Sequence, residues 1–302
     1  MQLPSVKQLQ YLIAVNETKH FGRAAEKCFV TQSALSTGIR ELENSLNVTL
    51  FERSKKQIAT TPLGEELGSQ ALAILAEISR FVEMAELKSA PLSGPLRFGL
   101  IPTVTPFLLP HLLPGIREKF ENVEFIVTEG LTGILHSQLL SGDIDAFVTA
   151  LPMDLKGTTQ RVLFEDPLMV AYRENSALLD PNVWPPSAKS LNSLMLLEEG
   201  HCLREHSLKV LPKDNKPKAK PFVASSLSTL IHMVESDMGF TLLPAMAQGS
   251  QLLKSAGIEL SPIEGQATAN PRSIALVWRE NSVRGDDFEA IGAYISEVMQ
   301  GK

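Results

Sequence analysis

Two cysteines occur in the 302 residues, Cys28 and Cys202, and their settings differ. Cys202 stands in Leu196-Leu197-Glu198-Glu199-Gly200-His201-Cys202-Leu203-Arg204. That order reads as a buried strand, a glycine turn and a helix start, which puts Cys202 in the first helical turn. A helix N-terminus stabilises a thiolate, and neighbouring His201 and Arg204 can add to the effect. The thiolate, not the thiol, attacks an O–O bond, and the first product is sulfenic acid. The plainer alternative is a small buried hydrophobe that only packs, the commoner fate of a free cysteine. Cys28 follows Phe21, Ala24 and Ala25 at i, i+3, i+4, i+7, so it is expected to point into a small core. The six histidines show no ligand spacing. His206 follows Cys202 by four residues, but two such groups on one helix do not make a metal site. Neither a metal nor a cofactor is expected, and no P-loop or serine-histidine-acid motif is present.

Composition and charge narrow the function classes. The length suits two domains or one large one, and 44% hydrophobic residues can fill real cores. No apolar run reaches the length of a membrane span, and the first residues do not read as a secretory signal. Two cysteines cannot build a disulfide framework, so a reducing cytoplasm is the expected compartment. The net charge of −6 is unevenly spread. Residues 1–60 hold eight Lys/Arg against five Asp/Glu, leaving 20 against 29 for the rest. A positive head on an acidic body suits a protein that meets DNA at one end.

The elements of the head follow from caps and periods. Ser5 and Gln8 have capping-box spacing ahead of Leu9, Leu12 and Ile13, predicting a helix over 5–16. A second helix starts near Phe21. Thr31 caps a third, whose apolar face is Leu35, Ile39, Leu42 and Leu46. Gln32, Ser33, Ser36, Thr37 and Arg40 are the polar residues of that helix placed to meet base edges and phosphates. An ordinary solvated face would have the same composition. Residues 50–60 then read as strand, basic turn and strand, a wing presenting Arg53, Lys55 and Lys56 to phosphates. Thr61 caps the next helix, with Pro62 at its first position and Glu65 and Glu66 in its first turn.

From Pro62 to about Lys88 the helical period continues without proline. Leu67, Ala71, Ile74, Leu75, Ile78, Phe81, Val82 and Ala85 form one stripe, about 40 Å long at roughly 1.5 Å per residue. Its partner is either a second copy of the helix or the body of its own chain. Residues 89–95 read as a hinge. Beyond them strand-like and helix-like segments alternate, predicting an α/β body of two lobes with a parallel sheet and a ligand cleft at the strand ends. Predicted strands are 96–100, 123–128, 144–149, 168–172, 194–197, 222–224, 241–243 and 274–278. Predicted helices are 107–119, one from Thr132, one from His201, 227–236 and 286–299.

Phe21-Gly22-Arg23-Ala24-Ala25, Thr31-Gln32-Ser33-Ala34-Leu35-Ser36, Ile39-Arg40-Glu41-Leu42-Glu43, Leu50-Phe51-Glu52-Arg53 and Thr61-Pro62-Leu63-Gly64 together resemble the N-terminal signature of the LysR family. The resemblance implies four parts: a winged helix-turn-helix over 1–61, a linker and dimerisation helix over 62–88, a hinge over 89–95, and a regulatory domain over 96–302 built like a periplasmic binding protein. It also implies promoter DNA as partner, dimers pairing into homotetramers, a possible contact with RNA polymerase, no membrane and no enzymatic activity. Gly200-His201-Cys202-Leu203-Arg204 and residues 99–104 and 274–279 look like the hydrogen-peroxide-sensing OxyR branch. That likeness implies Cys202 as the redox-active residue, with His201, Thr103, Thr132 and Arg272 binding peroxide or stabilising the thiolate. Thr103 and Thr132 read equally well as helix N-caps.

One position departs from that branch, in which a second cysteine resolves the first nine residues later. Leu211 stands there in this sequence, and no cysteine follows Cys202. The usual disulfide switch is therefore unavailable. Residues 207–220, rich in Lys and Pro, are expected to form a mobile loop. The alternative function is a LysR regulator that binds a small metabolite in the cleft, with Cys202 not a sensor. A cysteine peroxidase is disfavoured by the missing second cysteine and the winged helix.

Overall fold

The computed structural model describes residues 3–53, 58–86, 91–181, 183–187, 189–211, 222–263 and 272–301, with backbone alone at 53, 80 and 83–86. The chain divides into two compact units, residues 1–88 with 140–143 and residues 89–139 with 144–302.

The first unit holds three helices, a small hairpin and the long helix. α1 spans Val6–Thr18, and the capping box is present: Gln8 N–H donates to Ser5 Oγ at 3.2 Å, and Ser5 N–H to Gln8 Oε1 at 2.9 Å. α2 spans Phe21–Lys27 and is capped by His20 Nδ1, which accepts from Gly22 and Arg23 N–H. α3 spans Gln32–Leu46 behind its Thr31 cap. Leu35, Ile39 and Leu42 are buried in one core with Leu12, Val15, Ala24 and Leu50. α1 crosses α3 at Gly38, where a Cβ would lie 2.8 Å from the Tyr11 ring. β1, Phe51–Arg53, pairs antiparallel with β2, Ile58–Thr60, as expected of a wing. Cys28 is half-buried rather than fully in the core, because it ends α2 instead of lying within it.

α4 spans Pro62–Glu86 and starts where Thr61 Oγ1 accepts from Gly64 N–H at 3.0 Å. Its expected single stripe divides in two. Ala71 and Leu75 are buried in the core of their own unit, with Leu67 and Leu72 partly buried against it. Ile74, Ile78, Phe81 and Val82 are exposed.

The second unit begins with β3, Gly94–Leu100, so Gly94 and Pro95 open a strand rather than close a hinge. Then come α5 (Thr105–Lys119), β4 (Val123–Glu129), α6 (Thr132–Ser141), β5 (Ala146–Leu151) and β6 (Thr158–Glu165). The chain next passes to the second lobe: β7 (Leu168–Arg173), β8 (Met195–Leu197), α7 (Cys202–Val210), β9 (Phe222–Ala224), α8 (Leu227–Glu235), β10 (Thr241–Pro244), α9 (Gln251–Ser255) and β11 (Ile258–Pro262). It returns as β12 (Ser273–Arg279) and ends in α10 (Gly285–Gln300).

The first-lobe sheet has the order β4-β3-β5-β12-β6. β3 is parallel to β4 and β5, whereas β12 is antiparallel to β5 and β6. The parallel sheet expected from alternation is thus a mixed one, because the last strand enters from the other lobe and runs the opposite way. In the second lobe β7 pairs antiparallel with β10 and β11, while β8 and β9 are parallel. β6, α9 and β11 have no counterpart among the predicted elements. β6 (Thr-Thr-Gln-Arg-Val-Leu-Phe-Glu) is an edge strand with only Leu163 fully buried, so its apolar signal is weak. Residues 207–210 belong to α7 rather than to a loop, and 212–220 lie outside the described residues.

Candidate functional site

Cys202 is the first residue of α7 and is buried. β8 ends at Leu197, and the chain turns through Gly200 at φ +96°, a left-handed conformation that favours glycine. A Cβ on Gly200 would lie 3.1 Å from Leu131 Cδ1. The β8–α7 turn of the second lobe therefore sits against the β4–α6 turn of the first. His201 occupies the N-cap without capping by its side chain. Burial holds its imidazole below the usual range, against the opposing pull of the Ser225 backbone, Glu198 and Glu129. It is a neutral ring at neutral pH. Arg204, expected to help the thiolate, instead donates from Nη1 to the Leu197 carbonyl at 2.9 Å and so braces the end of β8.

The polar residues predicted from three distant segments are all buried. Thr103, in the turn after β3, accepts from Arg272 Nη2 at 3.5 Å. Thr132 begins α6, and its hydroxyl lies 2.9 Å from that of Thr149 in the middle of β5. Neither threonine is an N-cap: Val104 holds that place before α5, and Thr132 is already helical. Arg272, immediately before β12, forms a buried ion pair with Asp166. Asp166 also accepts from Met246 N–H at 2.9 Å, and its own N–H donates to the Arg272 carbonyl at 2.7 Å. Burial pushes the Asp166 carboxyl up, while Arg272 and the Met246 and Ala245 amides pull it down. A doubly anchored carboxylate of this kind fixes the direction in which the guanidinium points.

Asp166, Thr149 and His206 were not among the residues singled out for this site. Asp166 lies where the chain crosses between lobes, and no local pattern marks a partner 106 positions away. His206 is buried on α7, and its pKa falls to about 4 through burial and then the Arg272 and Lys209 charges. The i, i+4 spacing from Cys202 was its only signal. No group of three or more potential metal ligands occurs among the described residues.

In the first unit, Gln32, Ser33, Thr37 and Arg40 are exposed along α3, and Ser36 is partly so. Thr31 and Ser33 hydroxyls lie 3.0 Å apart at its start. Glu43 Oε1 accepts from Leu50 N–H at 2.8 Å and Phe51 N–H at 3.2 Å, tying α3 to the base of the wing. Arg53 is described by backbone alone, and Lys55 and Lys56 lie outside the described residues.

Residues 6–65 match the model of the bacterial regulatory helix-turn-helix protein, lysR family, and residues 89–300 match the LysR substrate binding domain. The chain belongs to the LysR family. It is 35% identical to the DNA-binding transcriptional dual regulator OxyR of Escherichia coli, over 98% of this chain and 96% of that one. It is 36% identical to the HTH-type transcriptional regulator EstR of Acinetobacter baylyi, over 96% and 95%. Among solved structures, full-length OxyR of Pseudomonas aeruginosa with a cysteine-to-aspartate change is similar at a TM-score of 0.63 and 32% identity, covering 98% of this chain and 95% of that one. A hydrogen-peroxide-bound OxyR mutant of Corynebacterium glutamicum gives 0.61 and 29%, covering 99% and 94%. This LysR-family member is thus a DNA-binding transcription regulator of OxyR-like build, not an enzyme. α1–α3 and the β1–β2 wing are its winged helix-turn-helix, and the two lobes are its regulatory domain. No helix among the described residues is long and apolar enough to cross a membrane.

Proposed function

We propose that this regulator responds to hydrogen peroxide through oxidation of Cys202, and that the oxidised protein changes its action at promoter DNA. The observation that carries the reading is buried Cys202 at the start of α7, directly after a turn that packs against Leu131 of the other lobe, the residue before buried Thr132. A helix start presents backbone N–H groups without intrahelical partners to whatever sits there. Hydroxyls and a guanidinium supply hydrogen bonds to a small oxygen substrate and charge stabilisation to a leaving hydroxide. A hydrogen-peroxide-bound relative of the same build supports the ligand class.

On the DNA side, Gln32, Ser33, Ser36, Thr37 and Arg40 read bases and phosphates from α3, and Arg53, Lys55 and Lys56 hold phosphates from the wing. The exposed apolar edge of α4 pairs two chains, and dimers pair into a homotetramer working in the cytoplasm alongside RNA polymerase. The test is Cys202→Ser. Peroxide-dependent DNA binding or transcription is expected to disappear, while binding in the absence of peroxide persists. An unchanged peroxide response sinks the proposal.

A second reading has its own support. The Acinetobacter regulator matches as well as OxyR does, and Leu211 replaces the usual second cysteine. In that reading a small metabolite fills the lobe–lobe cleft and Cys202 only packs. A metabolite that raises the melting temperature of the Cys202→Ser protein, with no reaction of the native chain with peroxide, would establish it.

A further inference from the structure

Among the described residues of the regulatory domain, His206 Nδ1 and Arg272 Nε are two of several buried polar atoms without a hydrogen-bond partner. The residues are 4% and 2% exposed. Native proteins rarely leave such atoms unpaired unless something else meets them. The Arg272 charge reaches the His206 imidazole and, after burial, helps to lower its pKa. Cys202 and His206 stand four residues apart on α7, on one face, and both are buried. The guanidinium is held on its other side by Asp166 and Thr103.

The chemistry of the substrate says what these atoms are for. Hydrogen peroxide carries two O–H donors besides its lone pairs. Arg272 offers donors alone. The Thr132 and Thr149 hydroxyls already engage each other, and Thr103 already accepts from Arg272. Those hydroxyls are each already oriented by a protein partner, whereas the unpaired nitrogen of a neutral imidazole is an uncommitted acceptor. We propose, building on the reading of Cys202 as the peroxide-reactive residue, that His206 is the acceptor which, with Arg272 Nε–H, holds hydrogen peroxide for attack by Cys202. The Cys202 thiolate forms the S–O bond as the O–O bond breaks. Sulfur is oxidised by two electrons and keeps the attacked oxygen with its hydrogen as sulfenic acid. The other oxygen takes the electron pair and leaves as hydroxide beside Arg272, and it becomes water with the proton the thiol had released. An imidazolium would serve this role badly, because it only donates, and burial beside Arg272 keeps the ring neutral.

The experiment compares full-length native chain, His206→Leu and His206→Gln in two reactions. One is sulfenic-acid formation at Cys202 with hydrogen peroxide. The other is alkylation of Cys202 by iodoacetamide, which needs the thiolate but no peroxide acceptor. His206→Leu is expected to slow the peroxide reaction by about tenfold, the worth of one hydrogen bond. Alkylation should change by less than about twofold, because it makes no use of a peroxide acceptor. His206→Gln, whose amide oxygen accepts, should recover most of the lost rate. Equal peroxide rates, a parallel fall in both reactions, or no rescue by Gln overturns the role of His206 while leaving Cys202 as the reactive residue. A native chain inert to peroxide overturns both.

Discussion

At the scale of residues, the regulatory site depends on buried charges that hold one another. Arg272 and Asp166 are both buried, and each is the other's ionic partner. Asp166→Asn keeps the shape but leaves the guanidinium without a counter-charge. Removing one member of a buried pair costs about 3–5 kcal/mol. The variant should therefore unfold at clearly lower urea, and its Cys202 should oxidise more slowly as Arg272 loses its fixed direction. An unchanged urea midpoint would mean the pair is not needed for folding. Acid acts through the histidines. His206 titrates near 4 in the folded chain because burial and then Arg272 and Lys209 disfavour its cation, whereas an unfolded histidine titrates near about 6.5. Between those values the unfolded chain binds more protons. Stability is thus full above about 6.5 and falls as pH drops towards about 4, by as much as about 3 kcal/mol. Buried His201, also lowered, acts in the same sense. His206→Gln should lose less stability between about pH 7 and about pH 5 than the native chain, measured by urea unfolding.

At the scale of elements, α4 carries two apolar edges with different duties. Ala71 and Leu75 complete the core of the DNA-binding unit. Ile74, Ile78 and Phe81 present an uncovered strip. A stripe read from the sequence merges the two, since a period of 3.6 residues does not say which apolar neighbour lies on which side. Phe81→Glu puts a charge in the strip without touching the core. Self-association should weaken by about tenfold or more in sedimentation velocity, with the melting temperature of the DNA-binding unit unchanged. A native-like sedimentation profile would assign the strip another partner. Other elements were legible where local signals were strong. Ser5, Thr31 and Thr61 cap the helices their spacing predicts, because capping is settled within four residues. β6, α9 and β11 escaped notice because short or edge segments bury too little to leave a period.

At the scale of the whole molecule, the proposed oxidation of Cys202 is constrained by the number and position of the cysteines. The chain has two cysteines, one in each unit, and the residue nine positions after Cys202 is buried Leu211. Peroxide in the absence of added thiols should therefore add one oxygen to Cys202 and form no intrachain disulfide. Intact and peptide mass spectrometry under non-reducing conditions reads this directly, and a Cys28–Cys202 peptide would refute it. A small thiol added afterwards should convert the sulfenic acid to a mixed disulfide with release of water.

The sequence alone determined the order of parts, the caps, the wing, the one cysteine at a helix start and the absence of a second one to resolve it. Those features are local, or they are matters of which residues exist, and neither needs a fold. Tertiary structure alone decided that the main sheet is mixed, that Arg204 braces a strand end, and that Asp166 from a lobe crossing locks Arg272. It alone buried His206 within reach of that arginine's charge and left one of its nitrogens unpaired. Those facts depend on which distant segments burial brings together, and a buried polar atom acquires its meaning only from the neighbours that folding supplies.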